Sequence, residues 1–225
     1  MEQIDKGDGE ISLRVRGLEF ARISASGVIF GLGRLNPVRP EQFGEVERLA
    51  RELAPLRSIA ASRQSELYLR NPEAWLESQV RCNIEAVDSS LMRTPVYGQV
   101  PAFAGGERGV IDLLAVEHSG RLSVLELKAF ADLHLPLQGL DYWMRVRWHL
   151  DRGEFSKHGY FSGVALRSEP PKLLLVAPAL EFHPTTETIL KYLSPSVEVE
   201  RIGLNMDWRN HLEVMFRLRG SERPD

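Results

Sequence analysis

Two strand-like segments, Arg108 to Glu117 (RGVIDLLAVE) and Arg121 to Phe130 (RLSVLELKAF), are separated only by His118-Ser119-Gly120. The first is an apolar run interrupted by one acid, Asp112; the second alternates more strictly and carries Glu126 and Lys128. Both read as strands of one sheet. The loop length decides which side chains share a face, because a strand alternates faces with period two. A two-residue loop would pair His118 with Arg121 and put Asp112 opposite Leu127. Asp112 and Glu126 would then point to opposite faces. A three-residue loop, with Gly120 in the left-handed position of a G1-bulge turn, pairs Glu117 with Arg121 instead. Asp112 then lies across from Glu126, with Lys128 two residues on along the same face. Glycine at the third loop position favours this second register, so Asp112, Glu126 and Lys128 are expected on one face.

Opposed carboxylates on neighbouring strands repel. A cation between them relieves the repulsion, and hard carboxylate oxygens suit Mg²⁺ or Mn²⁺. Such an ion polarises a phosphate and lowers the pKa of a bound water. Lys128 is placed to orient that water or to stabilise developing negative charge, and the backbone carbonyl of Leu127 is a further candidate ligand. A Glu and a Lys two apart are also common on solvated sheet faces, so the pair alone carries little. Asp112 carries more, because an unpaired carboxylate inside an apolar run is costly to bury.

Pro136 suits the first turn of a helix. Leu137, Leu140, Met144 and Trp148 then give an expected apolar stripe. Gln138, Tyr142, Arg145 and His149 give a polar one, able to meet a phosphate backbone. Gln138 and Tyr142 would lie near the metal and Arg145 and His149 further out; a solvated amphipathic face is the alternative. Upstream, Asn71-Pro72-Glu73 is a helix start, followed by a buried stripe of Leu76, Val80, Ile84 and Val87. Glu77 lies beside that stripe. It is either a third acid for the strand site, or a surface glutamate or helical partner of Arg81.

Glu77, Gly109 to Asp112, Glu126 with Lys128, and Gln138 with Tyr142 resemble, in order and spacing, the PD-(D/E)xK nuclease superfamily, in particular its RecB-like branch. Asn71 to Trp148 is also similar to the nuclease domain of NucS-type mismatch endonucleases. The resemblance covers roughly a third of the chain directly. It implies a restriction-endonuclease-like αβββαβ core, one or two Mg²⁺ or Mn²⁺ ions on Asp112 and Glu126, and Lys128 at the water. It also implies a second-metal role for Glu77, and Gln138 and Tyr142 orienting the lysine or a phosphate. Some RecB-like relatives hold an iron–sulfur cluster on four cysteines; this chain has only Cys82, too few for one. No match to the NucS DNA-binding domain is visible, so mismatch specificity is not carried over.

The 225 residues suit one large domain, or a domain with an appendage. A single cysteine excludes intramolecular disulfides and fits a reducing, cytoplasmic compartment. No apolar run reaches membrane-spanning length. A net charge of −3 argues against non-specific coating of nucleic acid. DNA would be met by a local arginine patch, with Arg63, Arg70, Arg81, Arg108, Arg145 and Arg147 as candidates.

Ile11 to Ser24 and Gly27 to Leu35 suggest a small N-terminal β-hairpin, and Glu41 to Leu56 a helix with Phe43, Val46, Leu49, Ala50 and Leu53 inward. Residues 1–60 are thus an expected accessory region for DNA binding, dimerisation or packing, and 61–225 the nuclease-like domain. Tyr97 to Phe103 is the expected first core strand, leading through Gly105-Gly106 to the Asp112 strand. Lys172 to Ala177 reads as a strand buried on both faces, Thr185 to Leu193 as a helix, and Val197 to Leu204 with Leu212 to Leu218 as a closing hairpin.

The expected protein is an α/β metal-dependent nuclease with a mixed central sheet, an N-terminal β appendage, and DNA as partner. RNA is the alternative substrate. A catalytically silent module binding nucleic acid or a protein is the alternative function. No membrane partner is expected, and a homodimer would suit cleavage of both strands.

Overall fold

The computed structural model describes residues 1–6, 9–58, 60–104 and 107–222, except for the side chains at 40, 103, 104, 107 and 108. The Gly105-Gly106 connection and the Arg108 side chain therefore lie outside the described residues. The contacts divide the chain into two compact units, Met1–Ser78 and Gln79–Asp225.

In the first unit, β1 (Glu2–Asp5), β2 (Ile11–Val15), β3 (Leu18–Ser24), β4 (Gly27–Phe30) and β5 (Asn36–Val38) form an antiparallel sheet in chain order. This is larger than the expected hairpin. Arg16 and Gly17 both take positive φ and turn the chain between β2 and β3, so the segment Ile11 to Ser24 is two strands. Leu13, Val15, Leu18 and Phe20 bury against Leu53 of α1 (Phe43–Leu56), with Val46, Leu49 and Ala50 packed at the edge of this core. Phe43, expected inward, is exposed. A short α2 (Glu66–Leu69) follows, and α3 (Pro72–Cys82) runs across the division between the units.

The second unit holds α4 (Ile84–Val87), β6 (Tyr97–Ala104), β7 (Glu107–Val116), β8 (Leu122–Leu127), α5 (Leu135–Asp151), α6 (Glu154–Lys157), β9 (Lys172–Pro178), α7 (Thr185–Leu190), β10 (Val199–Leu204) and β11 (Val214–Arg219). Its six-stranded sheet has the order β11-β10-β9-β8-β7-β6. β8, β9 and β10 run parallel, and antiparallel strands close both edges, so the sheet is mixed. Every residue of β8, β9 and β10 is buried, as strands covered on both faces require. The protein is thus mixed α/β, with one mixed and one antiparallel sheet. Among the described residues no helix is long and apolar enough to cross a membrane.

The crossover helix α5 corrects one expectation. Leu137, Met144 and Trp148 are exposed, while Leu135, Pro136, Gly139, Trp143, Arg145 and Val146 are buried. The buried stripe is displaced by one or two positions from the expected one. Trp143 fixes it: its indole lies in the core and donates from Nε1 to the Pro171 carbonyl (2.6 Å).

Candidate metal centre

The turn between β7 and β8 fixes the site. Glu117 N–H donates to Arg121 O (2.8 Å), and Gly120 N–H to Glu117 O (2.8 Å). Gly120 has φ of +88°, a conformation glycine adopts without strain. Leu113 pairs with Leu125 and Leu114 with Val124. Continued by one residue, that register sets Asp112 opposite Glu126, as the loop length implied.

The Leu127 N–H donates to Asp112 Oδ2 (2.9 Å), while the Lys128 N–H turns the other way, to Val176 O (3.0 Å). The N–H and C=O of one extended residue lie on the same side of a strand, so the Leu127 carbonyl opens toward Asp112. Lys128 Nζ donates to Glu126 Oε1 (3.0 Å). Glu126 Oε2 is buried and has no donor among the described residues. Burial raises the Glu126 pKa, and the Asp112 carboxyl within hydrogen-bonding reach raises it further. Lys128 offsets part of this, and the result is about 8. Without a cation, one proton shared by the two acids is therefore favoured near neutral pH.

Gln138 and Tyr142 of α5 come next. Gln138 Oε1 is also buried without a donor among the described residues. The Tyr142 hydroxyl is pushed up in pKa by burial and then by the Glu126 charge, and it accepts a hydrogen bond from the Val110 backbone. It stays protonated as a donor. Gly109 makes this seat: a Cβ there would stand 2.8 Å from Tyr142 Cε1. The glycine three residues before Asp112 thus leaves space for the tyrosine ring, a role its spacing alone did not state.

The other expected contributors have partners of their own. Glu77 is buried in the first unit, with Arg14 Nη1 3.6 Å from its Oε2; it is not a surface glutamate. Arg145 is buried, donates from Nε to Asp141 Oδ2 (2.9 Å) and from Nη1 to Ala102 O (3.1 Å), and so braces α5 on β6. His149 Nδ1 lies 2.5 Å from Glu154 Oε2, a carboxylate that repels phosphate. Arg147 Nη2 pairs with Asp151 Oδ1 (2.9 Å), and its Nη1 donates to the Ser168 carbonyl (2.7 Å).

The donor set fits a divalent cation of the Mg²⁺ or Mn²⁺ kind. Two carboxylates and a carbonyl converge, and one buried carboxylate oxygen lacks a donor. No group of three or more His, Cys, Asp or Glu suited to a metal occurs among the described residues. Mg²⁺ does not need one, since it keeps several waters and is held by one or two carboxylates plus substrate phosphates. Neither any family model nor any curated protein matches this chain.

Proposed function

We propose that the chain is a metal-dependent nuclease of the PD-(D/E)xK type, hydrolysing phosphodiester bonds in DNA. The observation that carries this reading is the buried, donorless Glu126 Oε2 facing Asp112 beside Lys128. A protein gains nothing in stability from setting a second acid against a buried one; a cation-dependent site requires both. When bound by Asp112, Glu126 and the Leu127 carbonyl, Mg²⁺ or Mn²⁺ would supply Lewis acidity toward the phosphate and acidify the attacking water.

The chain's own groups do the rest. Asp112 and Glu126, once deprotonated, hold the negative side of the site. Lys128, tethered by Glu126, orients the water for inline attack or stabilises charge growing on the phosphoryl oxygens. Tyr142 keeps its proton and donates to a phosphate oxygen. Gln138 offers its carbonyl to the Lys128 ammonium or to the incoming water. A catalytically silent binding module is the second reading, favoured by the Lys128–Glu126 pair, which holds without a cation.

The test is cleavage of single-stranded, duplex, branched and mismatched DNA, and of RNA, with Mg²⁺ or Mn²⁺. Wild type is run beside Glu126→Ala and Lys128→Ala. Metal-dependent cleavage lost in both variants supports the proposal. Cleavage of none of these by wild type overturns it in favour of the silent module, and preferential cleavage of RNA replaces the substrate.

A further inference from the structure

Four described residues other than glycine take positive φ: Arg16, Asn71, Gln99 and Phe161. Three have a local reason. Arg16 turns the chain between β2 and β3, its carbonyl accepting from Arg57 Nη2 (2.8 Å). Asn71 leads into α3, and asparagine tolerates the left-handed region better than most residues. Phe161 packs edge-on against Tyr97 and Phe155, and its N–H donates to the Tyr97 hydroxyl (3.0 Å). Gln99 has none of these. It lies inside β6, has φ of +57°, and its side-chain amide makes no hydrogen bond among the described residues.

Its position in the sheet is specific. Gly98 pairs with Leu113 and Val100 with Ile111, but the ladder has no rung between Gln99 and Asp112. Asp112 thus has Glu126 across from it on one side and Gln99 on the other. Backbone strain beside an acidic pair, with an uncommitted amide at the strained residue, is a combination that marks functional positions. A left-handed residue needed only by the strand itself would be served better by glycine.

We infer that Gln99 is a substrate-contact residue, its amide donating to a non-bridging oxygen of the DNA phosphate held at Asp112 and Glu126. The inference rests on the nuclease reading and adds a residue that the motif order does not contain. A glutamine amide donates without bringing charge, so it can approach an oxygen of the phosphate and leave the cation site unchanged. The left-handed backbone stands at the one missing rung of the β6–β7 ladder, opposite Asp112.

The test uses Gln99→Gly and Gln99→Asn in the full chain. Binding of fluorescein-labelled single-stranded and duplex DNA is read in the slowly cleaving Lys128→Ala background, which keeps both carboxylates, and cleavage in the wild-type background. Glycine removes the strain and the amide together. Gln99→Gly should raise Tm, keep the Mn²⁺-induced thermal shift, and lose about tenfold or more in DNA affinity and kcat/KM, the size of one hydrogen bond to a charged group. Gln99→Asn, which tolerates the same backbone, should restore part of the loss. A higher Tm with unchanged binding and cleavage would make Gln99 a feature of the strand alone and overturn the inference. So would a lower Tm in Gln99→Gly, since no strain would have been relieved. Absence of cleavage and binding by proteins that carry Gln99 would instead overturn the nuclease reading, and this inference with it.

Discussion

The second unit contains two clusters of charge with buried members, and they are built on opposite rules. In one, Lys172 Nζ meets Asp88 Oδ2 (3.5 Å) and Glu200 Oε1 (3.0 Å), and Arg217 Nη1 meets Asp88 Oδ2 (3.1 Å) and also Glu200. Two acids face two bases, and Arg217 Nη2 also reaches the Val87 carbonyl (2.6 Å). In the other, Asp112 lies across from Glu126, which pairs with Lys128, and one Glu126 oxygen has no donor among the described residues. Asp88, Glu200 and Lys172 are buried in the first and Glu126 and Lys128 in the second, while Arg217 is exposed and Asp112 half-buried. A balanced network holds its charges by mutual attraction and hydrogen bonds. An unbalanced one is left short of a positive charge. The pKa values follow. Burial pushes the Asp88 carboxyl up, but hydrogen bonds from the Ser90 backbone and hydroxyl, with Arg217 and Lys172, bring it below the ordinary aspartate value. Burial and Asp112 push Glu126 the other way, to about 8. On the proposed reading, the difference separates a group of side chains that ties strands together from one arranged to receive a ligand.

The largest expected effect breaks the balanced cluster. Glu200→Ala leaves Lys172 and Arg217 short of a partner and should cost about 3–5 kcal/mol of stability, as breaking buried ion pairs does. Denaturant unfolding reads it. Cleavage per folded molecule should hold, and a selective loss of cleavage would mean that this cluster also serves the chemistry.

Next is Lys128→Ala. The loss in kcat should be about 10²–10³, the size of one electrostatic contact to the reacting group. Measured by Tm without metal, the variant should be affected far less than Glu200→Ala. A purely structural Lys128 would reverse that ranking.

The third expectation uses the opposite pKa shifts. Glu126 has a folded-state pKa above its unfolded value, so its contribution is fully present below about pH 4.5 and is lost as pH rises through about 8. Metal-free protein should therefore lose stability across that window, by at most about 1.4 kcal/mol per pH unit for one proton. The dependence should vanish in Glu126→Gln. Asp88 has a lowered pKa, so its contribution is present above the ordinary aspartate range and is lost as pH falls through the folded value. Asp88→Asn should flatten the acid side alone. Melting temperatures across pH for the three proteins separate the two clusters, and identical profiles would erase the contrast.

The smallest effect sharpens the site. Gly109→Ala places a Cβ against Tyr142 Cε1 and should cost about 1–3 kcal/mol through overpacking, with a parallel drop in cleavage as the hydroxyl moves. A stability loss with full cleavage would take Tyr142 out of the chemistry.

Much of the Asp112–Glu126–Lys128 arrangement was legible because it depends on local rules. His118-Ser119-Gly120 fixes the register, the register fixes the shared face, and alternation brings in Lys128. The β9 strand was legible from a continuous apolar run, and the closing hairpin from two flanking ones. What depends on tertiary packing was not. The exposed and buried faces of α5 were misassigned, because Leu137, Met144 and Trp148 have the same helical spacing as the stripe that Trp143 and Val146 bury. Arg145 and His149 read as phosphate contacts, and only the folded chain shows their partners, Asp141 and Glu154. Arg16-Gly17 is a turn hidden inside one strand-like segment, so a five-stranded sheet read as a hairpin. The positive φ of Gln99 leaves no trace in composition or periodicity.

The most direct measurement of the central claim is a Mn²⁺ titration of wild type and Glu126→Gln at pH 7, followed by Tm and by proton release. An ion bound between Asp112 and Glu126 should raise the wild-type Tm with increasing Mn²⁺ and release up to about one proton per site, because the shared proton must leave. Glu126→Gln should show neither response. An unchanged wild-type Tm with no proton release, or equal responses in the two proteins, would contradict the assignment of these carboxylates to a cation.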